Sequence, residues 1–486
     1  MINNVILKLK GEKLLTWVEE LFSVFPESDV YLVGGTIRDL LLGSLKADKI
    51  DYDFVVTGVS VLSLTKFLKE KGRVVMVGRR FGVIKFRPGS FEEVLDIALP
   101  RSERPWKYTG KRQDFVVTCD PLLPIEKDLL RRDFTINAMA LSLRTGQFVD
   151  PHRGVYDLKR GLIRAVSSPK DRFQEDYSRM LRALRFALQL KFNIEKATFT
   201  VLKGLMSHIN DTVEGGVRVV PYEIVAEEFL ETFMADPQRA LALYDESGAL
   251  GELMPELVEM KGCEQSSNWH TEGDVWQHTE LALKKLYSRK FIQYFPEPVD
   301  SELVMATLFH DLGKAATFYY HEKVGAQKAR QICKRLRLTS ARSYSVNCEN
   351  LYWLVRNHSL ILHASPGQLR SFTIEKYFFN PRYPGKTLLK LFLVDALSTI
   401  PISGKVDISR FEKLMVKFGK LTGRSGQLPK PLLTGHEIMR LLKIPSGPRI
   451  GEIQKALREE QLSGRVKTKR EVRDYIKLQF SSTKSQ

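Results

Sequence analysis

The hydrophobic period of this chain changes once along its length, and that change limits what it can fold into. Up to about Asp150, apolar residues gather in short β-rich runs: residues 30–34, Tyr52–Thr57, Arg73–Val77, Gly82–Phe86 and Val94–Ala98. Such runs, bounded by turn residues, read as strands. Helices are predicted at Leu40, Leu41 and Leu42, closing on Gly43, and over Val61–Lys71. From about Pro169 onward the spacing is helical almost throughout. Leu181, Leu184 and Leu188 share one face, as do Val225, Phe229, Leu230 and Phe233. A small mixed α/β sheet module followed by a mostly α-helical remainder is expected. A chain of 486 residues exceeds what one core sustains, and the pattern divides it at 1–150, 151–265, 266–400 and 401–486. Glu214-Gly215-Gly216, Pro296–Asp300 and Thr422–Pro431 read as linkers.

Charge narrows the partners. The formal net charge is +18, and residues 401–486 hold nineteen Lys and Arg against eight Asp and Glu. A basic tail of this kind suits a polyanion, and nucleic acid is the preferred reading. No stretch approaches the apolar length of a membrane span, so no membrane partner is expected. The N-terminal residues Met1–Lys8 lack a long apolar core, which argues against export. Cys119, Cys263, Cys333 and Cys348 form no Cys-x-x-Cys pattern and read as reduced thiols of a cytoplasmic protein.

Gly34-Gly35 stands at a strand-to-helix turn, where free backbone N–H groups and a helix start attract an anion. Arg38, one turn later, can pair with a phosphate. Asp51 and Asp53, two apart on a strand, point to one face and would converge on one cation. Asp96 is a third candidate carboxylate. Together these suit Mg²⁺-dependent nucleotidyl transfer. In Arg131-Arg132-Asp133 the arginines either pair with an acid or clamp a triphosphate. In Glu175-Asp176-x-x-Arg179-x-x-Arg182-x-x-Arg185, Asp176 and Arg179 are expected on one helical face, with Arg182 partly round it and Arg185 opposite. That pair is either an ordinary helix ion pair or a set of donors and acceptors able to read a base edge.

Taken in order, Gly34-Gly35-x-x-Arg38-Asp39, Asp51-x-Asp53, Arg131–Ala138, Asp157-Leu158-x-x-Gly161-x-Ile163-Arg164 and Glu175-Asp176-x-x-Arg179 resemble the class II tRNA nucleotidyltransferase/poly(A) polymerase family over roughly residues 25–260. The resemblance implies a head with Mg²⁺ on Asp51 and Asp53, followed by a helical neck. It implies that Asp176 and Arg179 select CTP or ATP, and that Gly34, Gly35, Arg38, Arg132, Asp133, Arg182 and Arg185 bind the nucleotide. Two points bear on activity. The family's next motif carries an arginine where Glu223-Ile224-Val225 has Ile224. The segment Arg101–Asp128 has full length, whereas members that add only C are shortened there.

A second constellation lies further on. His278, His310-Asp311, His321, His358 and Asp395 follow one another after Trp269–Gln277. Imidazoles and carboxylates together suit a borderline divalent metal that activates water for phosphoester hydrolysis. The series resembles the HD phosphohydrolase superfamily, which implies that His278, His310, Asp311 and Asp395 hold a second metal and that His321 and His358 are additional histidines of the site. Leu433–Met439, Gly447-Pro448-x-Ile450-Gly451 and Gln461-x-x-Gly464 are similar to the tails of bacterial tRNA nucleotidyltransferases with such a domain, and Gly451 and the basic Arg465–Arg470 would suit an RNA backbone. The expected activity is addition of C, C and A to the 3′ end of tRNA from CTP and ATP. The rivals are A addition alone, poly(A) synthesis, or a phosphohydrolase whose head only holds RNA.

Overall fold

The computed structural model describes residues 13–43, 52–77, 83–89, 91–105, 109–111, 115–361, 369–423 and 427–480. The chain forms two compact units, one ending at Leu253 and the other beginning at Met254. In the first, strands β1 (Asp29–Val33), β2 (Asp53–Thr57), β3 (Gly72–Val77), β4 (Val83–Pro88), β5 (Leu95–Ala98), β6 (Arg101–Pro105), β7 (Phe115–Cys119), β8 (Ala140–Ser142) and β9 (Phe148–Val149) make up the module. Seven of them form one sheet in the order β3-β4-β5-β2-β1-β8-β9. Only β2 and β5 run parallel, with Asp53 against Asp96; the other neighbours in this sheet are antiparallel.

Strand alternation sorts the sheet into two faces. Phe54, Val56, Ile84, Phe86, Leu95 and Ile97 join one core with Trp17, Val18 and Leu21 of α1 (Thr16–Val24) and Leu64, Phe67 and Leu68 of α3 (Val61–Lys71). Trp17 presents its ring edge-on to Phe54 and Phe86, at 5.6 and 5.8 Å between centroids. Because successive strand residues face opposite ways, Asp53, Lys85 and Asp96 belong to the other face, where Val33, Val55, Leu129, Ala138 and Ala140 pack. Between β1 and β2 lies α2 (Gly35–Leu42), which follows Gly34 directly and stops at Gly43 in the left-handed conformation.

In the helical remainder of this unit, α4 (Ser178–Gln189) packs on α5 (Tyr222–Ala235). The two predicted leucine and phenylalanine stripes are fully or almost fully buried there. In the second unit, α6 (Val275–Lys285), α7 (Ser301–Phe309), α8 (His321–Arg335), α9 (Cys348–Asn357) and α10 (Gly385–Ser398) form a bundle around α7. Residues Leu303 to Phe309 of α7 are buried on every side. Farther on, α11 (Gly435–Leu442), α12 (Pro448–Leu462) and α13 (Lys469–Phe480) share a small core of Ile438, Ile453, Val472 and Ile476. A reciprocal Thr434–Glu437 capping box opens α11. Among the described residues no helix is long and apolar enough to cross a membrane.

The structure departs from the sequence reading at several places. Arg101–Asp128 contains a hairpin, β6 against β7, with Arg101 opposite Cys119. Glu214-Gly215-Gly216 is no linker: it turns a hairpin in which Thr212–Val213 pairs with Val217–Arg218, both glycines having positive φ. Cys333 and Cys348, expected as thiols, form a disulfide between α8 and α9 with their Cα atoms 5.6 Å apart; helix packing brings together two residues whose spacing carries no signal. Gly82 and residues 424–426 of the predicted Thr422–Pro431 linker lie outside the described residues.

Trp17→Ala should cost about 3–5 kcal/mol, because it empties the space between Phe54, Phe86 and α1. Denaturant unfolding of the first unit measures it; a loss below about 1 kcal/mol would mean that the sheet does not depend on this ring.

Candidate functional site

Asp51 lies outside the described residues. Asp53 opens β2, and the parallel register sets Asp96 of β5 beside it. Both Asp96 oxygens meet Lys85 Nζ, at 2.7 and 3.0 Å, so this candidate carboxylate is half of an ion pair. Gly34 decides how close the groups come. A Cβ there would lie 2.9 Å from Arg132 Nη1 and 3.3 Å from Asp53 Oδ2, and Gly34 has φ 71°. The missing side chain is therefore what lets a guanidinium and a carboxylate approach the start of α2. Carboxylate oxygens from adjacent strands fit a hard divalent cation, and the arginines beside them fit phosphate.

A hydrogen-bonded relay connects these groups to the helical segment. Arg38 Nη1 donates to Asn137 Oδ1 (2.8 Å), Asn137 Nδ2 donates to Asp133 Oδ1 (3.1 Å), and Arg182 Nε donates to Asp133 Oδ2 (2.9 Å). Burial alone would raise the Asp133 pKa, but the Arg182 charge and the Asn137 amide reverse that and hold it at about 2. Arg38, Arg182 and Arg185 also gather round the Phe186 ring, at 5.2, 5.3 and 4.4 Å from its centre. Neither Asn137 nor Phe186 was singled out from the sequence; the signal for Phe186 was its place one residue after the last arginine of the motif.

The paired arginines share one acid and differ in reach. Arg131 binds Asp128 and Glu103; Arg132 also meets Asp128, at 3.4 Å, and extends to the Gly34 turn. Asp176 does not share a helical face with Arg179. Its backbone is extended (φ −158°, ψ 101°) between the helix Pro169–Glu175 and α4. Its Oδ1 accepts from the Ser178 N–H and hydroxyl, at 3.0 and 2.5 Å. Arg179 Nη1 donates to Glu175 Oε2 (2.6 Å) and the Arg172 carbonyl (3.0 Å). A short polar side chain competing for backbone N–H groups breaks the helix at this point. Arg185 donates to Glu228 on α5 at 2.6 Å.

In the second unit the four histidines present one pattern. Nδ1–H donates outward from His278 to Glu272 (2.8 Å), from His310 to the Thr307 carbonyl (2.7 Å), from His321 to the Phe318 carbonyl (3.1 Å) and from His358 to the Val355 carbonyl (2.7 Å). Each Nε2 is thereby turned inward, the tautomer a metal requires. His278 Nε2 lies 3.2 Å from Asp395, His310 Nε2 3.3 Å from Asp311 Oδ2, and His321 and His358 Nε2 3.4 and 3.6 Å from Asp311 Oδ1. Asp311 thus stands between two possible ligand groups, one with His278 and His310 and the other with His321 and His358. Beyond its ion pairs with Asp311 and Asp395, the buried His310 Nε2 has no further partner among the described residues, as expected of an atom placed for a cation. Burial opposes ionisation of Asp311, but Lys314 at 2.7 Å and His310 hold it well below the usual carboxylate range. For His278, hydrogen bonds to Asp395 and Glu272 outweigh burial and push the pKa up to about 9. The sequence reading had assigned no role to Glu272 or Lys314. Glu272 also receives His270 Nδ1 (2.7 Å) and the Ile400 N–H (2.9 Å), anchoring His278 from behind.

Comparison with known proteins matches a known domain to each of the two regions. The poly A polymerase head domain matches residues 30–164 and the HD domain residues 275–396. The A-adding tRNA nucleotidyltransferase of Deinococcus radiodurans is 33% identical over 472 residues, covering 92% of this chain and 94% of that protein. The chain belongs to the tRNA nucleotidyltransferase/poly(A) polymerase family. The multifunctional CCA protein of Neisseria meningitidis serogroup B is 33% identical over 354 residues, 71% of this chain and 75% of that one. The solved Thermotoga maritima CCA-adding enzyme, complexed with tRNA-CCA, shares the fold at a TM-score of 0.61 and 21% identity, with 97% of each chain covered. The present protein is accordingly a nucleotidyltransferase, with a sheet-based head, a helical remainder and an HD domain.

The depressed Asp133 pKa has a stability consequence. A carboxylate held at about 2 when folded, against about 3.9 unfolded, stabilises the fold above pH 4, and that contribution is lost as the pH falls toward 2. Asp133→Asn should therefore cost about 2–3 kcal/mol at neutral pH, and the gap from wild type should close between pH 4 and 2. Urea titrations across that range measure it; a gap independent of pH would contradict the assignment.

Proposed function

We propose that this nucleotidyltransferase adds C, C and A to the 3′ end of tRNA, using CTP and ATP, in the cytoplasm where those substrates occur. The observation that carries the reading is the meeting of Asp53 and Arg132 over Gly34, with Arg38 and Arg182 tied to the same relay. Asp51 and Asp53 would hold Mg²⁺, with Asp96 as a further carboxylate whose charge Lys85 shares. Mg²⁺ bound there supplies activation of the RNA 3′-hydroxyl and charge neutralisation at the leaving pyrophosphate. Arg38, Arg132 and Arg182 orient the triphosphate, the N–H groups at Gly34-Gly35 add donors, and Asp176 and Arg179 read the base edge. Residues 1–150 act as the head, 151–265 as the neck, 266–400 as the HD domain and 401–486 as a basic tRNA-binding tail.

In the HD domain, His278, His310, Asp311 and Asp395, with His321 and His358, would hold a second divalent metal. When bound it would supply an activated water for phosphoester hydrolysis. One finding favours a second reading of the head. The Deinococcus relative that matches nearly the whole chain is an A-adding enzyme, which supports addition of the terminal A alone.

Purified enzyme with CTP and ATP should complete transcripts that lack CCA, end in C or end in CC, and then stop. Extension of the CC-ended transcript alone would establish A addition; long A tracts on arbitrary RNA would establish poly(A) synthesis. Asp53→Ala should lower turnover at least about a hundredfold with tRNA binding retained, and near-normal turnover at saturating Mg²⁺ would remove the head assignment.

The two centres should separate. The double variant His310→Ala, Asp311→Ala should abolish phosphoester hydrolysis and spare nucleotide addition. Loss of both activities in a folded variant would refute the domain division.

A further inference from the structure

One aromatic ring stands among the buried positions of α4, which are otherwise Ser, Met, Leu and Ala. That ring, Phe186, is 6% exposed, and guanidiniums from two helices converge on it. Arg38 comes from α2 and Arg182 and Arg185 from α4 itself; their Cζ atoms lie 5.2, 5.3 and 4.4 Å from the ring centre. The buried Phe134 meets Phe186 edge-to-face, with 5.9 Å between centroids and 86° between planes. This contact restrains the tilt of the ring, and the Phe134 N–H donates in turn to Asp133 at 2.8 Å. An apolar helix position needs only volume, which leucine supplies at Leu181, Leu184 and Leu188. Positive charges gathered round one side chain ask for more, because like charges repel.

Carboxylates answer part of that repulsion. Each guanidinium donates Nε–H to one of them: Arg38 to Asp39 at 2.7 Å, Arg182 to Asp133 at 2.9 Å and Arg185 to Glu228 at 2.6 Å. Arg185 is engaged further, with Nη1 on Gln189 at 2.9 Å and on Glu231 at 3.2 Å. Arg182 differs. Its Nη groups make no hydrogen bond among the described residues, and its side chain is 37% exposed. Another acid would hold this guanidinium but would occupy those donors and repel an anion. The face of an aromatic ring attracts a cation through its quadrupole and requires no N–H donor. It fixes where the guanidinium lies and leaves both Nη groups to a ligand, in the fork that suits phosphate.

We propose that Phe186 is a positioning residue of the nucleotidyl-transfer site: the π face of its ring, and not its volume alone, holds Arg182 and Arg38 at the spacing that receives the nucleotide triphosphate. The proposal rests on the reading of these two arginines as triphosphate contacts. Its effect falls on the phosphates and is the same whichever base they carry.

The test follows A addition to a CC-ended tRNA transcript by the full chain, with inorganic tripolyphosphate as a competing ligand that has phosphates and no base. Phe186→Leu should raise the KM for ATP and the inhibition constant of tripolyphosphate by about tenfold each, with kcat little changed. Mono-, di- and trifluorinated phenylalanines substituted for Phe186 keep the shape of the ring while withdrawing charge from its face. Both constants should climb with each fluorine at an unchanged melting temperature. Flat constants across the fluorinated series, or a fall confined to kcat, overturn the proposal and leave Phe186 a core residue. Arg182→Gln distinguishes this from failure of the underlying reading. If it raises both constants while the fluorinated series is flat, the arginine binds triphosphate and only the part assigned to the ring fails. If it raises neither, the triphosphate reading fails and the proposal with it.

Discussion

Asp133 accepts from Arg182 at 2.9 Å, from the Asn137 amide at 3.1 Å and from the Phe134 N–H at 2.8 Å, all in a buried position. A carboxylate so enclosed is tolerable only while these donors remain, since an unpaired buried charge costs several kcal/mol, of order ~3–5. The same donors tie the sheet module and α4 into one arrangement of positive charge. Asn137 passes the constraint to Arg38 at the start of α2, and Phe186 gathers Arg38, Arg182 and Arg185 round one ring. Long arginine side chains lose much rotamer entropy when fixed; holding them in the folded protein removes that loss from the binding of any anionic ligand.

The HD centre uses the inverse arrangement, in which one carboxylate is surrounded by bases. Asp311 has Lys314 at 2.7 Å and three imidazole nitrogens, those of His310, His321 and His358, between 3.3 and 3.6 Å. Thr307, Phe318 and Val355 carbonyls and the Glu272 carboxylate fix the outer ring nitrogens, so the inner ones have no freedom to turn away. Helices α6, α8 and α10 and the residues that directly follow α7 and α9 carry the candidate ligands, and the packing of α7 inside the bundle sets their separation.

Much of this was legible in the residues. The strand and helix periods located most of the sheet and both buried stripes, because burial of one face imposes its period on the sequence. The order of His278, His310-Asp311, His321, His358 and Asp395 announced the second centre, since imidazoles and carboxylates are costly to bury together without a cation. Where the reading failed, the local spacing admitted a second conformation. Asp176 was expected on a helix from its spacing to Arg179, but its side chain binds the Ser178 N–H and breaks the helix. Glu214-Gly215-Gly216 looked like a linker because two glycines suit either a flexible joint or a tight reversal, and only strand pairing distinguishes them.

By itself, then, the sequence determined the sheet-then-helix organisation, the residue types at both centres and the family resemblance, all of which depend on local period and motif order. Tertiary structure alone decided that Lys85 shares Asp96, that Gly34 brings Arg132 and Asp53 together, that Asn137 and Phe186 organise the arginines, and that Cys333 meets Cys348. Apart from Arg185 and its neighbour Phe186, those pairings span up to 148 residues along the chain, from Arg38 to Phe186. Most of them bring together residues from different elements, and no periodicity encodes such a distance; it follows from how strands register and helices pack.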